Sequence, residues 1–248
     1  MIVIPLPHYG FDPTEAAIPW KYLNDHSVEI VFATPDGHVA AADKRLLTGE
    51  GFGIFKSMLM ANDQALSAYQ EMSKSEAFNH PISYSDIVVD EYQGILLPGG
   101  HDKGMKSYLE SSILQGKVVE FFDKNKIVGA ICHGTILAAR SIDPISKRSV
   151  LFDYKTTSLL KLQEMGAYYL TVLWLHDYYR TYPLSVEEEV KSVLKNSNQF
   201  KPGRFSSRRD TFSDEEPAFV VEDRNYISGR WPGDAHTFAK KFFQHLKG

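Results

Sequence analysis

The sequence predicts an α/β protein with a mostly parallel sheet covered by helices on both faces. Two observations carry that prediction. Short apolar runs alternate with amphipathic segments along the chain, as buried parallel strands do when crossover helices join them. In addition, the apolar run Ile127–Ile131 meets a helical pattern, Thr135–Arg140, with no room for a loop between them. A strand must turn there at once into a helix, and the chain's single cysteine, Cys132, occupies the turn.

The elements follow in order. Ile2–Leu6 reads as the first strand. Asp12-Pro13-Thr14-Glu15 opens a helix, with Asp as cap, Pro at the first helical position and Glu three residues after the cap. Pro19 is expected to kink or restart that helix. Val28–Ala33 is the second strand, ended by the turn Thr34-Pro35-Asp36-Gly37. His38–Phe55 lacks a clear period and reads as loop, and Asp63–Lys74 reads as helix. Ile95–Leu97 is a buried strand running into Pro98-Gly99-Gly100-His101. Residues 104–125 carry helical pattern with Val118, Val119 and Phe122 inward. After the Cys132 unit, Val150–Phe152 reads as strand and Leu159–Glu164 as helix. Ala218–Val221 and Tyr226–Ser228 flank a turn as a hairpin. The last helix, Asp234 to about Leu246, places Ala235, Phe238, Ala239 and Phe242 on one face.

Residues 165–217 depart from this alternation and read as an elaboration within a single domain spanning 1–248. The segment is dense in aromatics (Tyr168, Tyr169, Trp174, Tyr178, Tyr179, Tyr182) and breaks at Pro183. A capping box, Ser185 to Glu188, then opens a helix through Leu194. The polar stretch from Lys195 to Glu216 carries Arg204, Arg208 and Arg209. The aromatics read either as core packing or as a cover over a site, and the arginines as a solvated loop.

Composition bounds the function. With 43% hydrophobic and 23% charged residues and a net charge of −4, the chain offers no electrostatic attraction to nucleic acid or an anionic membrane. No stretch approaches the roughly 20 apolar residues of a membrane span, and the N-terminus lacks the basic start of a signal peptide. One cysteine excludes an internal disulfide and fits a reducing compartment, so a cytoplasmic location is expected. Cys132 itself has two readings. It is either a small buried hydrophobe, or a nucleophile on an elbow flanked by the small residues Ala130 and Gly134. The helix N-terminus after it would favour thiolate.

Three strand-end stretches together carry a resemblance: Gly10-Phe11-Asp12-Pro13-Thr14-Glu15, Leu97-Pro98-Gly99-Gly100-His101-Asp102 and Ala130-Ile131-Cys132-His133-Gly134. The chain resembles the ThiJ/PfpI superfamily, which spans deglycases, PfpI-type proteases and a chaperone/glyoxalase III branch. The resemblance implies a flavodoxin-like three-layer sandwich with the reactive cysteine at the C-terminal edge of the sheet. It implies Cys132 as nucleophile, Glu15 as a protonated acid beside it, and His133 as base. The amides of Gly100 and His133 correspond to an oxyanion hole, and His101 to a pocket-lining residue or a plain turn residue. Glu15 thus has a capping-box reading and a catalytic reading, of which the second is preferred. Where hydrolytic members place an acid behind the histidine, this chain has Ser158, leaving Asp153 and Glu164 as substitutes. That gap favours a glutathione-independent glyoxalase III or deglycase type of activity on small carbonyl compounds. A PfpI-type peptidase or amidase is the second reading, and a holding chaperone or cysteine redox sensor the third. The histidines show no metal-ligand spacing, so no metal or cofactor is expected. The expected partners are a small-molecule substrate and a second copy in a homodimer.

Overall fold

Ile2–Pro5 (β1) is buried at every residue, as a strand covered on both faces must be. The computed structural model describes all residues, Met1–Gly248, and sets β1 within a seven-stranded sheet. The other strands are Tyr9–Phe11 (β2), Ile30–Thr34 (β3), Ala41–Ala42 (β4), Ile82–Ser83 (β5), Gly94–Leu97 (β6), Ile127–Ile131 (β7), Val220–Asp223 (β8) and Tyr226–Gly229 (β9). The sheet order is β5-β3-β1-β6-β7-β9-β8, and β2 pairs separately with β4. All pairings in the large sheet are parallel except the β8–β9 hairpin at its edge. The predicted α/β sandwich with a mostly parallel sheet is the observed fold.

The longer helices are Pro13–Asp25 (α1), Asp63–Met72 (α2), Ser112–Asp123 (α3), Gly134–Arg140 (α4), Lys161–Leu175 (α5), Val186–Val193 (α6) and Ala235–Lys247 (α7). Helices α1, α2 and α7 pack together, with α7 against β7 and β9, while α3 and α4 pack against β6 and β7 from the other side. The apolar face of α7 explains its close approach. Phe238 and Phe242 are fully buried, and a Cβ at Gly129 would lie only 2.6 Å from the Phe242 ring.

Four expectations need correction. Helix α1 runs unbroken through Pro19. The ring removes one donor, but packing of α1 between α2 and α7 holds the helix together. His38–Phe55 is not featureless, since it contains β4 and a short helix at Lys44–Thr48, capped by Asp43 and closed by Gly49 in the left-handed region. Val150–Phe152 is a turn rather than a strand. Its amides bond locally, Val150 to Ser141 and Phe152 to Ser149, and β9 occupies the place beside β7. The helix foreseen at 159–164 extends to Leu175 and absorbs the first part of the aromatic segment.

Candidate active site

Every residue of β7 after Ile127 is buried, so the strand delivers Cys132 to the sheet edge with little freedom. Cys132 has φ of +55°, the left-handed region that a side-chain-bearing residue adopts only when its surroundings enforce it. Such a conformation costs of order 1–3 kcal/mol and marks elbows that hold a reactive side chain. The enforcing contacts are visible. A Cβ at Gly134 would come within 2.0 Å of the Leu97 carbonyl, so only glycine lets α4 start this close to β6. Thr135 Oγ1 donates to the Cys132 carbonyl at 2.6 Å.

The start of α1 supplies the second group. Asp12 caps the helix by accepting from the amides of Thr14 at 2.7 Å and Glu15 at 3.3 Å. The Asp12 amide donates to the Gly99 carbonyl at 2.8 Å, and the Gly99 amide donates to Glu15 Oε2 at 2.9 Å. Glu15 therefore does not close a capping box; its carboxyl is turned across to the loop after β6. Its other oxygen, Oε1, is buried without a hydrogen-bond partner, and the carboxyl as a whole interacts with the Cys132 thiol. Gly99 is a residue that sequence reasoning passed over. A Cβ there would lie 2.6 Å from the His133 amide nitrogen, 2.7 Å from Glu15 Oε2 and 3.0 Å from Cys132 Cβ.

Burial pushes the Glu15 carboxyl well above the carboxylate range, and the Asp12 charge adds to the rise, so Glu15 keeps its proton at neutral pH. Cys132 is also fully buried. Its thiol is pushed up, first by burial and then by Glu15 and Asp12, against the His133 amide, which favours thiolate. The thiolate expected from the helix terminus is thus outweighed by desolvation. Burial and their mutual repulsion hold both acids toward their neutral forms.

His133 Nδ1 lies 3.5 Å from Cys132 Sγ. Burial holds His133 well below the usual histidine range, with His101 and Arg140 adding to the effect, so its ring is neutral and able to accept a proton. His101 packs edge-on to His133 with ring centroids 4.8 Å apart, and burial lowers it to about 4. One donor atom from each of His101, Cys132 and His133 lies within 4.8 Å of the others. Two imidazoles and a thiol are a donor set that zinc accepts; the sequence hid it because the ligands come from separate loops. The amides of Gly100 and His133 donate to no backbone oxygen, and the His133 amide faces the sulfur.

Neither proposed orienting acid meets His133. Asp153 is exposed and pairs with Lys195 at 3.1 Å. Glu164 is buried on α5, accepts from the Val186 amide at 2.9 Å, and lies 3.9 Å from Arg180. Burial raises its carboxyl to about 7. Ser158, in the acid's expected place, donates to the Leu159 carbonyl at 3.3 Å. The Asp210–His236 pair, 3.0 Å apart, is absorbed in capping α7, where Asp210 also accepts from the Thr237 amide at 2.7 Å.

The elaboration closes over this site. Tyr178 and Tyr179 are buried with Leu46, Phe52 and Leu175 in a small second core, whereas Tyr169 and Trp174 face outward. Tyr178 and Tyr179 thus fit the core-packing reading, Tyr179 also lines the cavity, and the outward-facing aromatics fit neither reading. Arg208 pairs with Asp214 and Glu216 on the surface, as expected of a solvated loop. Arg209 is instead turned inward, donating to the carbonyls of Met58 and Met60. A cavity of about 210 Å³ lies between α5 and this loop, with His101, Asp12, Tyr179, Arg209 and Trp231 on its wall.

An uncharacterised protein of Schizosaccharomyces pombe is 25% identical over 154 residues, covering 59% of this chain and 56% of the relative. The chain thus spans little more than half of that relative's length. A second uncharacterised protein of the same yeast is 20% identical over 99% of this chain and 78% of its own. Among solved structures, glyoxalase III of Candida albicans superposes with a TM-score of 0.68 at 19% identity, over 98% of this chain and 96% of that one. The Rapid Encystment Protein 24 KDa of Francisella tularensis does so with 0.67 at 20% identity, over 99% and 98%. DJ-1beta of Drosophila melanogaster gives 0.57 at 14% identity, over 99% and 89%. These similarities establish a shared, flavodoxin-like fold. No helix is long and apolar enough to cross a membrane. The ThiJ/PfpI family-like model matches residues 6–203, from just after β1 into the 165–217 elaboration, and the chain belongs to that family.

Proposed function

We propose that the chain is a cysteine-dependent enzyme that converts small 2-oxoaldehydes to 2-hydroxy acids without glutathione. The observation that carries this reading is the cluster of Cys132, neutral His133 and protonated Glu15, with no carboxylate behind the histidine. In the proposed sequence His133 takes the thiol proton as Cys132 Sγ attacks the aldehyde carbon. A C–S bond forms, and the carbonyl electron pair moves to oxygen, met by the Gly100 and His133 amides. A base then removes the proton from that carbon and returns one to the neighbouring carbon, giving a thioester. Water cleaves the C–S bond, releasing the hydroxy acid and the thiol. The net change is addition of one water, with no external oxidant or reductant. Glu15, as a neutral donor, steadies the sulfur without adding charge.

The glyoxalase III of Candida albicans, similar in fold, agrees with this reading. A peptidase is less well supported, because His133 lacks the partner that would hold its tautomer. Incubation with methylglyoxal in the absence of glutathione, followed by lactate measurement, tests the proposal. Lactate should form in proportion to enzyme; none above the buffer control would refute it.

A further inference from the structure

Five buried polar atoms without a hydrogen-bond partner belong to residues on the wall of the cavity between α5 and the Arg209 loop. They are Arg209 Nη1, Trp231 Nε1, the Tyr179 hydroxyl, His101 Nδ1 and Gln163 Oε1. Folded proteins leave few such groups, and a cluster of them points to a missing partner. The set is rich in donors, since the Arg209 and Trp231 atoms can only donate. Its complement is therefore a group with acceptor oxygens.

Arg209 decides which group. Its Nη2 is fixed by the carbonyls of Met60 at 2.7 Å and Met58 at 3.2 Å, leaving Nη1 committed to nothing. No carboxylate stands at ion-pair distance; Asp12 acts on it only from further away and spends Oδ1 on the amides of Thr14 and Glu15. A largely buried guanidinium with no carboxylate in direct contact can take up an anion, and its planar fork suits a carboxylate. Trp231 is held in place by its neighbour. Arg230 is fully buried and bonds Asp234 through Nε and Nη2, both at 2.8 Å, which fixes the loop between β9 and α7.

The rest of the wall is mostly apolar, with Leu46, Leu59, Leu170 and Phe205 among its residues, and it also carries Asp12, Glu164, Ser206 and Ser207. At about 210 Å³ the cavity exceeds the roughly 150 Å³ apolar cavity that accepts benzene. A three-carbon aldehyde would leave most of it empty. His101 belongs both to this wall and to the Cys132 cluster, so its ring stands between the cavity and the buried thiol.

We infer that the compound handled at Cys132 is a carboxylate-bearing aldehyde or 2-oxoaldehyde with an apolar body about as large as a phenyl ring. Its carboxylate would lie on Arg209 and Trp231 and its carbonyl toward Cys132. The identification as substrate rests on the proposed function; the carboxylate site itself does not.

The test uses an unreactive probe, 3-phenylpropanoate, with its neutral amide as control, titrated calorimetrically into the full chain and into Arg209→Met and Arg209→Lys. The acid should bind the unmodified chain at least tenfold more tightly than the amide. That preference should vanish in Arg209→Met and survive in part in Arg209→Lys. Equal binding of acid and amide to the unmodified chain would overturn the inference, as would an undiminished preference in a folded Arg209→Met. Should Arg209→Met fail to fold, the comparison of acid with amide on the unmodified chain decides alone. The titration needs no turnover. A chain that binds the acid but leaves methylglyoxal unchanged keeps the site and loses the proposed activity, and the converse result separates them the other way.

Discussion

At the scale of single residues, the site depends on neutral groups held in close quarters. Glu15 is kept protonated by burial and by Asp12, so it can donate toward sulfur where a carboxylate would repel a thiolate. Replacing it with Gln keeps the shape and removes the proton. Loss of an acid–base group costs about 10²–10⁴ in rate, so kcat/KM for Glu15→Gln should fall within that range while circular dichroism is unchanged. Gly99 makes a separate prediction. A methyl group at this position must displace the His133 amide or the Glu15 carboxyl, both under 3 Å from it. Gly99→Ala should therefore lower activity at least tenfold, with an overpacking cost of about 1–3 kcal/mol read from denaturant unfolding. The identity of Cys132, His133 and Glu15 as candidates was legible in the sequence. The orientation of Glu15 was not, because a capping box and an inward carboxyl need the same residue at the same spacing. Arg209 was hidden for another reason: its sequence neighbours are polar, and only the carbonyls of Met58 and Met60 turn it inward.

At the scale of elements, buried strands were legible because they are short apolar runs with helices on both sides. Val150–Phe152 looked the same and became a turn, since a run of three residues carries no information about where its amides find partners. Helix α5 was read short because its outward face is apolar, with Leu162, Tyr169 and Leu173 exposed, which blurs the helical period. The junction of α5 and α6 has a pH dependence that can be measured. Glu164 accepts the Val186 amide, and burial raises its carboxyl to about 7, above the unfolded value of 4.5. An acid raised on folding binds more protons in the folded chain, so its contribution is full below pH 4.5 and is lost as pH rises through 7. Relative to Glu164→Gln, the unmodified chain should lose up to about 3 kcal/mol between pH 5 and pH 8. The neutral histidines His101 and His133 change in the opposite sense but are common to both proteins and cancel. Melting curves of the pair across that range would show it; a constant difference would mean Glu164 does not titrate there. On the other face, Phe242 fills the space over Gly94 and Gly129. Phe242→Ala should destabilise the chain by about 3–5 kcal/mol.

At the scale of the whole molecule, the parallel order β3-β1-β6-β7-β9 brings the starts of α1 and α4 and the loop after β6 to one edge of the sheet. Cys132, Glu15 and Gly99 are far apart in sequence and adjacent there, as ligand sites in open α/β sheets are. The 165–217 elaboration then closes a cavity against that edge, which is where specificity is expected to reside. The central claim is that Cys132 is the reacting group. Its most direct test is lactate formation from methylglyoxal, without glutathione, by Cys132→Ala beside the unmodified chain. The account predicts lactate from the unmodified chain and none above background from the variant; a variant that retains the rate would contradict it.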